Sequence, residues 1–202
     1  NGWQVRDPVL GTDQIGLLVG DWNRDGITNN NEDTIFFSLA EARSLVNASQ
    51  KVQQDVRWVL ERDVVASWLN YLAGNSVGPA DGGGSGIDTP KEYLMEAVDW
   101  LQAFTRDENG DGFGDGNVFQ WGPAIKANSI YWNSGVTAGN YPGALPAGGL
   151  PPNQATGNSE ADMPILAGNM IHGALDEYNN YGTLVGIAMA PDGDLSANFL
   201  SV

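Results

Sequence analysis

Apolar residues recur at intervals of three and four over four stretches of the chain, and the intervals between them are filled with Gly, Pro, Asn and Asp. The first set, Ile35, Phe36, Leu39, Ala42, Leu45 and Val46, predicts a helix over 33–46. A second helix is expected over 51–72, where Val52, Val56, Val59, Leu60, Val64, Trp68, Leu69 and Leu72 trace one stripe. Charges are expected on its other side and Gly74 as its stop. Thr89-Pro90-Lys91-Glu92 has the chemistry of a helix start: a capping hydroxyl, a proline in the first turn and a glutamate three residues on. Leu94, Ala97, Val98, Leu101 and Phe104 form the buried face of that third helix. The fourth is expected over 162–178, with Leu166, Met170, Ile171, Ala174 and Leu175 inward and Gly182 as the stop. Short apolar runs at 129–132 and 183–189 read as strands, and 15–19 as a strand or short helix. The pattern describes a mainly α fold of about four helices, with a small β component and long irregular loops.

The length of 202 residues is enough to bury a core, and 1–202 is read as one domain carrying an irregular Gly-, Pro- and Asn-rich segment at 133–158. Nine Lys and Arg against 25 Asp and Glu leave a formal charge of −16. A surface of that sign repels nucleic-acid phosphates and anionic lipid, so neither is an expected partner. No apolar run reaches membrane-spanning length, so no membrane span is expected. Cysteine is absent, which excludes disulfides and thiolate chemistry. No secretory leader opens the chain at Asn1, as in a processed secreted protein. The Gly82-Gly83-Gly84-Ser85-Gly86 run lacks the Gly-Lys-Ser/Thr of a phosphate loop. It also places Ile87 where a nucleophile elbow needs its last glycine.

Such an excess of carboxylates repels itself unless cations neutralise it, and two loops carry the spacing for that task. In Asp21-Trp22-Asn23-Arg24-Asp25-Gly26-Ile27-Thr28-Asn29-Asn30-Asn31-Glu32, alternate Asp21, Asn23 and Asp25 converge their oxygens on one hard cation. Gly26 permits the sharp turn, Ile27 offers its carbonyl, Asn29 binds directly or through water, and Glu32 closes with two oxygens. A second stretch, 107–118, repeats Asp107, Asn109, Asp111, Gly112 and Asp115, with Phe113 offering a carbonyl. Its twelfth position is Val118, so this loop needs a ligand from elsewhere or water. The first stretch resembles the EF-hand calcium loop and, more loosely, the dockerin loop. The resemblance implies bound calcium and places the helix predicted over 33–46 where an EF-hand has its exit helix; with the second loop at least two ions are expected, and the third helix runs straight into that loop. Trp68-Leu69-Asn70 with Leu72 and Gly74, and Leu175-Asp176-Glu177-Tyr178-Asn179-Asn180, resemble helical segments of secreted bacterial and archaeal surface proteins. That likeness implies an extracellular, non-catalytic module.

Candidates for catalysis are few. His172 is the single histidine; it stands four residues before Asp176 and is read as part of a solvated helix face. Glu61, Asp63, Asp99 and Glu177 are the carboxylates from which a glycosidase pair would be drawn. Of seven tryptophans, Trp68 and Trp100 are expected in the core, and Trp3, Trp22, Trp121 and Trp132 near loops, where they can stack on sugars or fill an intersubunit pocket. The expected function is therefore a non-catalytic, calcium-binding structural subunit of an extracellular surface layer, filament or matrix. Self-association is expected to involve the alternating residues 195–202. A carbohydrate- or protein-binding module is the alternative, and a glycoside hydrolase the third reading.

Overall fold

A computed structural model describes residues 4–6, 13–26, 34–47, 55–78, 87, 89–105, 117–119, 124–137, 140, 165–182 and 184. The elements, in order, are β1 (Gln4–Arg6), β2 (Asp13–Val19), β3 (Ile35–Ser38), α1 (Leu39–Asn47), α2 (Val56–Leu72), α3 (Pro90–Ala103), α4 (Ile130–Ser134) and α5 (Gly168–Tyr181). Among the described residues the fold is mainly helical, with one small antiparallel sheet in the order β1-β2-β3.

The expected helix over 33–46 is half strand. Ile35 and Phe37 point into the core while Phe36 and Ser38 are half-buried, an alternation of period two rather than 3.6. Their backbone pairs with β2 in the register Val19↔Ile35, Leu18↔Phe36, Leu17↔Phe37 and Gly16↔Ser38. The helix starts only at Leu39. The Ser38 amide donates to Glu41 Oε2 at 2.8 Å and the Glu41 amide to Ser38 Oγ at 3.3 Å, a reciprocal cap that marks the boundary. So the first acidic loop leads into a strand and not into the exit helix that the EF-hand resemblance implies. Residues 20–34 instead join two paired strands.

Helix α2 is the central element, packed against α1, α3, α5 and β2. Its apolar stripe is as expected, with Val56, Leu60, Val64 and Trp68 buried, but its charges are not on a solvent face. Arg57, Glu61 and Asp63 are buried too, because neighbours cover the helix on several sides. Asp55 caps it by accepting from the Arg57 amide, and also accepts the Ile125 amide and the Arg57 guanidinium. Helix α3 opens as the sequence predicts: Thr89 Oγ1 accepts from the Glu92 amide and Glu92 Oε2 from the Thr89 amide. Leu94, Ala97, Val98, Leu101 and Phe104 are all buried. Each such large side chain contributes roughly 1.5–3 kcal/mol of burial.

The strand expected at 129–132 is the short helix α4, because Ser129 Oγ accepts the Trp132 amide and starts a turn. Helix α5 begins at Gly168, later than the expected 162, since Ile165 first makes a bridge to Val136. Gly182 ends α5 in the left-handed conformation, with φ of 73°, that a side chain disfavours. Of the strand expected at 183–189 only Leu184 is described, and the run 195–202 lies outside the described residues, as do Trp3 and Trp121. Among the described residues, no helix is long and apolar enough to cross a membrane.

Candidate metal sites

The first acidic loop starts where β2 ends, and its described part, Asp21 to Gly26, is wound around one carboxylate. Asp21 is buried; its Oδ1 accepts the Asp25 amide at 3.1 Å and its Oδ2 the Gly26 amide at 2.9 Å. Asn23 Oδ1 accepts the same Asp25 amide at 2.8 Å. The turn passes through Arg24 at φ 60° and Gly26 at φ 73°, so the glycine occupies the place the motif requires. Each carboxylate oxygen keeps a further lone pair after accepting one amide, so this loop's oxygens fit a hard cation. Ile27, Asn29 and Glu32 lie outside the described residues.

Two features hold that loop in place. Its two ends are register partners, Val19 against Ile35. In addition, Trp22 lies edge-on to Trp68 (4.9 Å between centroids) and Tyr71 (5.2 Å) of α2. Lys91 Nζ sits 4.6 Å from the Trp22 ring centroid, and the Arg24 guanidinium 4.7 Å from that of Tyr71. Trp22 is thus an internal anchor of the loop rather than a free platform for a sugar. Trp132 is buried against Trp100 and His172, so it is no loop-side platform either. Trp68 and Trp100 are core residues as expected.

Residues 107–116 of the second acidic loop, with Asp107, Asn109, Asp111, Phe113 and Asp115, lie outside the described residues, but Phe104 before them and Asn117 and Val118 at the loop's end do not. Arg57 Nη1 donates to the Phe104 carbonyl at 2.9 Å. Four residues along α2, on the same face, Glu61 Oε1 accepts the amide of Val118. Beside Val118, the buried Asn117 donates to the Phe36 carbonyl at 2.9 Å and to Glu41 Oε2 at 3.5 Å. One face of α2 therefore holds the chain before the loop, at Phe104, and at its twelfth position, Val118. Burial pushes Glu61 well above the usual carboxylate range; the Val118 amide and Arg57 oppose that shift, while Glu41 and Asp55 add to it. Among the described residues alone, no group of three or more Asp, Glu or His side chains forms a metal cluster.

His172 is half-buried rather than on an open helix face, and its ion pair is with Asp63 rather than Asp176. Its Nδ1 lies 2.5 Å from Asp63 Oδ2 on α2, and its ring stacks on Trp132. The hydrogen bond to Asp63 raises its pKa above the ordinary 6.5, against the opposing effect of burial. Next to it, Asn179 Oδ1 accepts from Ser67 Oγ and Asn70 Nδ2, each at 3.0 Å, and Asn179 Nδ2 donates to the Asp63 carbonyl at 3.1 Å. Helical periodicity along one segment carries no signal for partners so far apart in the chain. Glu61, Asp63 and Asp99 are all buried, and Glu61 and Asp63 hold internal partners.

No protein-family model, curated protein or solved structure matches the chain.

Proposed function

We propose that this chain is a non-catalytic, calcium-binding structural subunit of an extracellular assembly, in which calcium fixes its acidic loops. The observation that carries the reading is the Asp21 to Gly26 turn, where a buried carboxylate organises the backbone of a loop with calcium-ligand spacing. The −16 charge supports it, since such a chain gains more than most from bound divalent cations. Loops of this kind are tuned for cytosolic or extracellular calcium alike, so extracellular placement rests on the acidic, Asn- and Gly-rich, Lys-poor composition. The alternative, a carbohydrate- or protein-binding module, has fewer contacts to offer among the described residues, because Trp22 and Trp132 are engaged within the fold.

Thermal melting and light scattering, each in millimolar calcium and in chelator, test the two halves of the proposal. A site filled to a hundred times its dissociation constant adds about 2.7 kcal/mol. At roughly 2–4 °C per kcal/mol for a chain of this size, calcium should raise Tm by about 5–10 °C per ion. Particles larger than one chain are expected in calcium and smaller ones in chelator. Equal melting in both buffers defeats the calcium reading, and a monomer in both defeats the assembly reading.

A further inference from the structure

Two of the nine Lys and Arg residues converge on one aromatic cluster, and each stands where its own local structure disfavours it. Arg24 has a φ of 60°, the left-handed conformation that a side chain disfavours. Lys91 lies in the first turn of α3, where the positive end of the helix dipole repels a cation. Their charged ends meet at the C-terminal end of α2. Lys91 Nζ sits over the Trp22 ring at 4.6 Å and the Arg24 guanidinium over the Tyr71 ring at 4.7 Å. The two rings lie edge-on to one another, 5.2 Å between centroids. Trp22 and Tyr71 are half-buried and Arg24 is exposed, so the cluster opens to the surface. Among the described residues the ion pairs use Arg57, Arg62 and His172, and neither Arg24 nor Lys91. A cation above a ring keeps its charge and its donors, so both can still meet a carboxylate from outside. Local order does not call for these residues: Asn or Gly suits the φ of Arg24 better, and an acid suits the position of Lys91. Side chains that break such local rules together mark a place where something other than local stability is served.

We propose that Arg24 and Lys91, backed by Trp22 and Tyr71, form a docking surface for the carboxylates of a second copy of this chain. Charge complementarity selects that occupant. Each copy carries 25 acids against nine Lys and Arg, so it offers carboxylates in excess and few cations of its own to compete for them. Arginine meets a carboxylate through paired donors and lysine through a point charge, and the rings beneath hold both heads in place before contact. The inference rests on the assembly reading above, and names the surface through which copies associate.

Sedimentation velocity of the full chain in millimolar calcium tests it, with Lys91→Gln, Lys91→Arg and Lys126→Gln beside the wild type. Lys91 is the residue to vary because it stands outside the first acidic loop, whereas Arg24 stands within it. Lys126 is an exposed cation at the opposite end of α2, next to Ile125, whose carbonyl accepts the Val56 amide. It controls for the loss of a positive charge elsewhere. Lys91→Gln is expected to weaken assembly roughly tenfold, Lys91→Arg to restore most of it, and Lys126→Gln to match the wild type. Melting in chelator reads any structural role of the cation above Trp22, and Lys91→Gln should lower Tm there by no more than about 4 °C. Wild-type assembly in Lys91→Gln overturns the docking surface while leaving the assembly reading intact. An equal loss in Lys126→Gln also overturns it, showing an effect of net charge alone. A larger fall in Tm alongside weaker assembly overturns it too, since Lys91 is then a structural residue. A wild type that stays monomeric in calcium overturns both readings.

Discussion

Asp21 organises its own loop and, in the proposed reading, also heads a ligand set. Its carboxylate accepts the amides of Asp25 and Gly26, and the same oxygens head the calcium-ligand pattern. Asp21→Ala is therefore expected to act twice. The loss of acceptors should destabilise the metal-free chain by about 1–3 kcal/mol, since two amides lose their partner. Binding should also fall by one ion. Calorimetry and melting in chelator read these separately, and an unchanged calcium stoichiometry would falsify the ligand role. Gly26 gives the complementary case: at φ 73° a side chain is strained whatever the loop binds.

At the scale of elements, the junction of α2 and α5 combines an ion pair with an amide zipper. Protonated His172 donates to Asp63, and Asn179 links Ser67, Asn70 and the Asp63 carbonyl. The other charges around His172 are Asp176 on its own helix and Arg62 beside Asp63, the first reinforcing and the second opposing protonation. The folded-state pKa is raised above the ordinary 6.5, so the folded chain holds this proton more tightly than the unfolded one. The resulting stability is fully present below pH 6.5 and is lost as pH rises through the higher folded value. His172→Gln should flatten that part of the melting profile. With a single histidine in the chain, one imidazole resonance reports the titration directly. A midpoint at or below 6.5 would remove the ion pair from the account.

For the molecule as a whole, the excess of 16 negative charges repels itself over distances that salt can screen. The screening length falls from about 10 Å at 0.1 M salt to about 3 Å at 1 M. Chelation is expected to lower Tm most at low salt, and sodium chloride near 1 M to recover only part of the loss. The unrecovered part belongs to specific calcium sites. If sodium chloride alone restores the full calcium-bound Tm, the cations act by screening and the ligand loops are not sites.

Local patterns were legible from the sequence where the physics is local. The Thr89 to Glu92 cap, the Gly182 stop and the apolar stripes of α2 and α3 follow from spacing and from what each residue offers its own backbone. Ser38-Leu39-Ala40-Glu41 carried the same capping signal, and it marks the true start of α1 inside the expected helix 33–46. What the pattern could not decide was pairing. Ile35 and Phe37 fit either period, and β2 settled the matter by offering a strand edge. The acidic spacing at Asp21, Asn23 and Asp25 is a property of the sequence, because those positions lie within a single turn of chain. Glu61 beside Val118 and His172 beside Asp63 are separated by 57 and 109 positions, and only packing around α2 brings them together. Sequence spacing determines contacts that a turn or a helix can close by itself. The charges that share a buried face depend on which elements cover it, and that is decided by the tertiary fold.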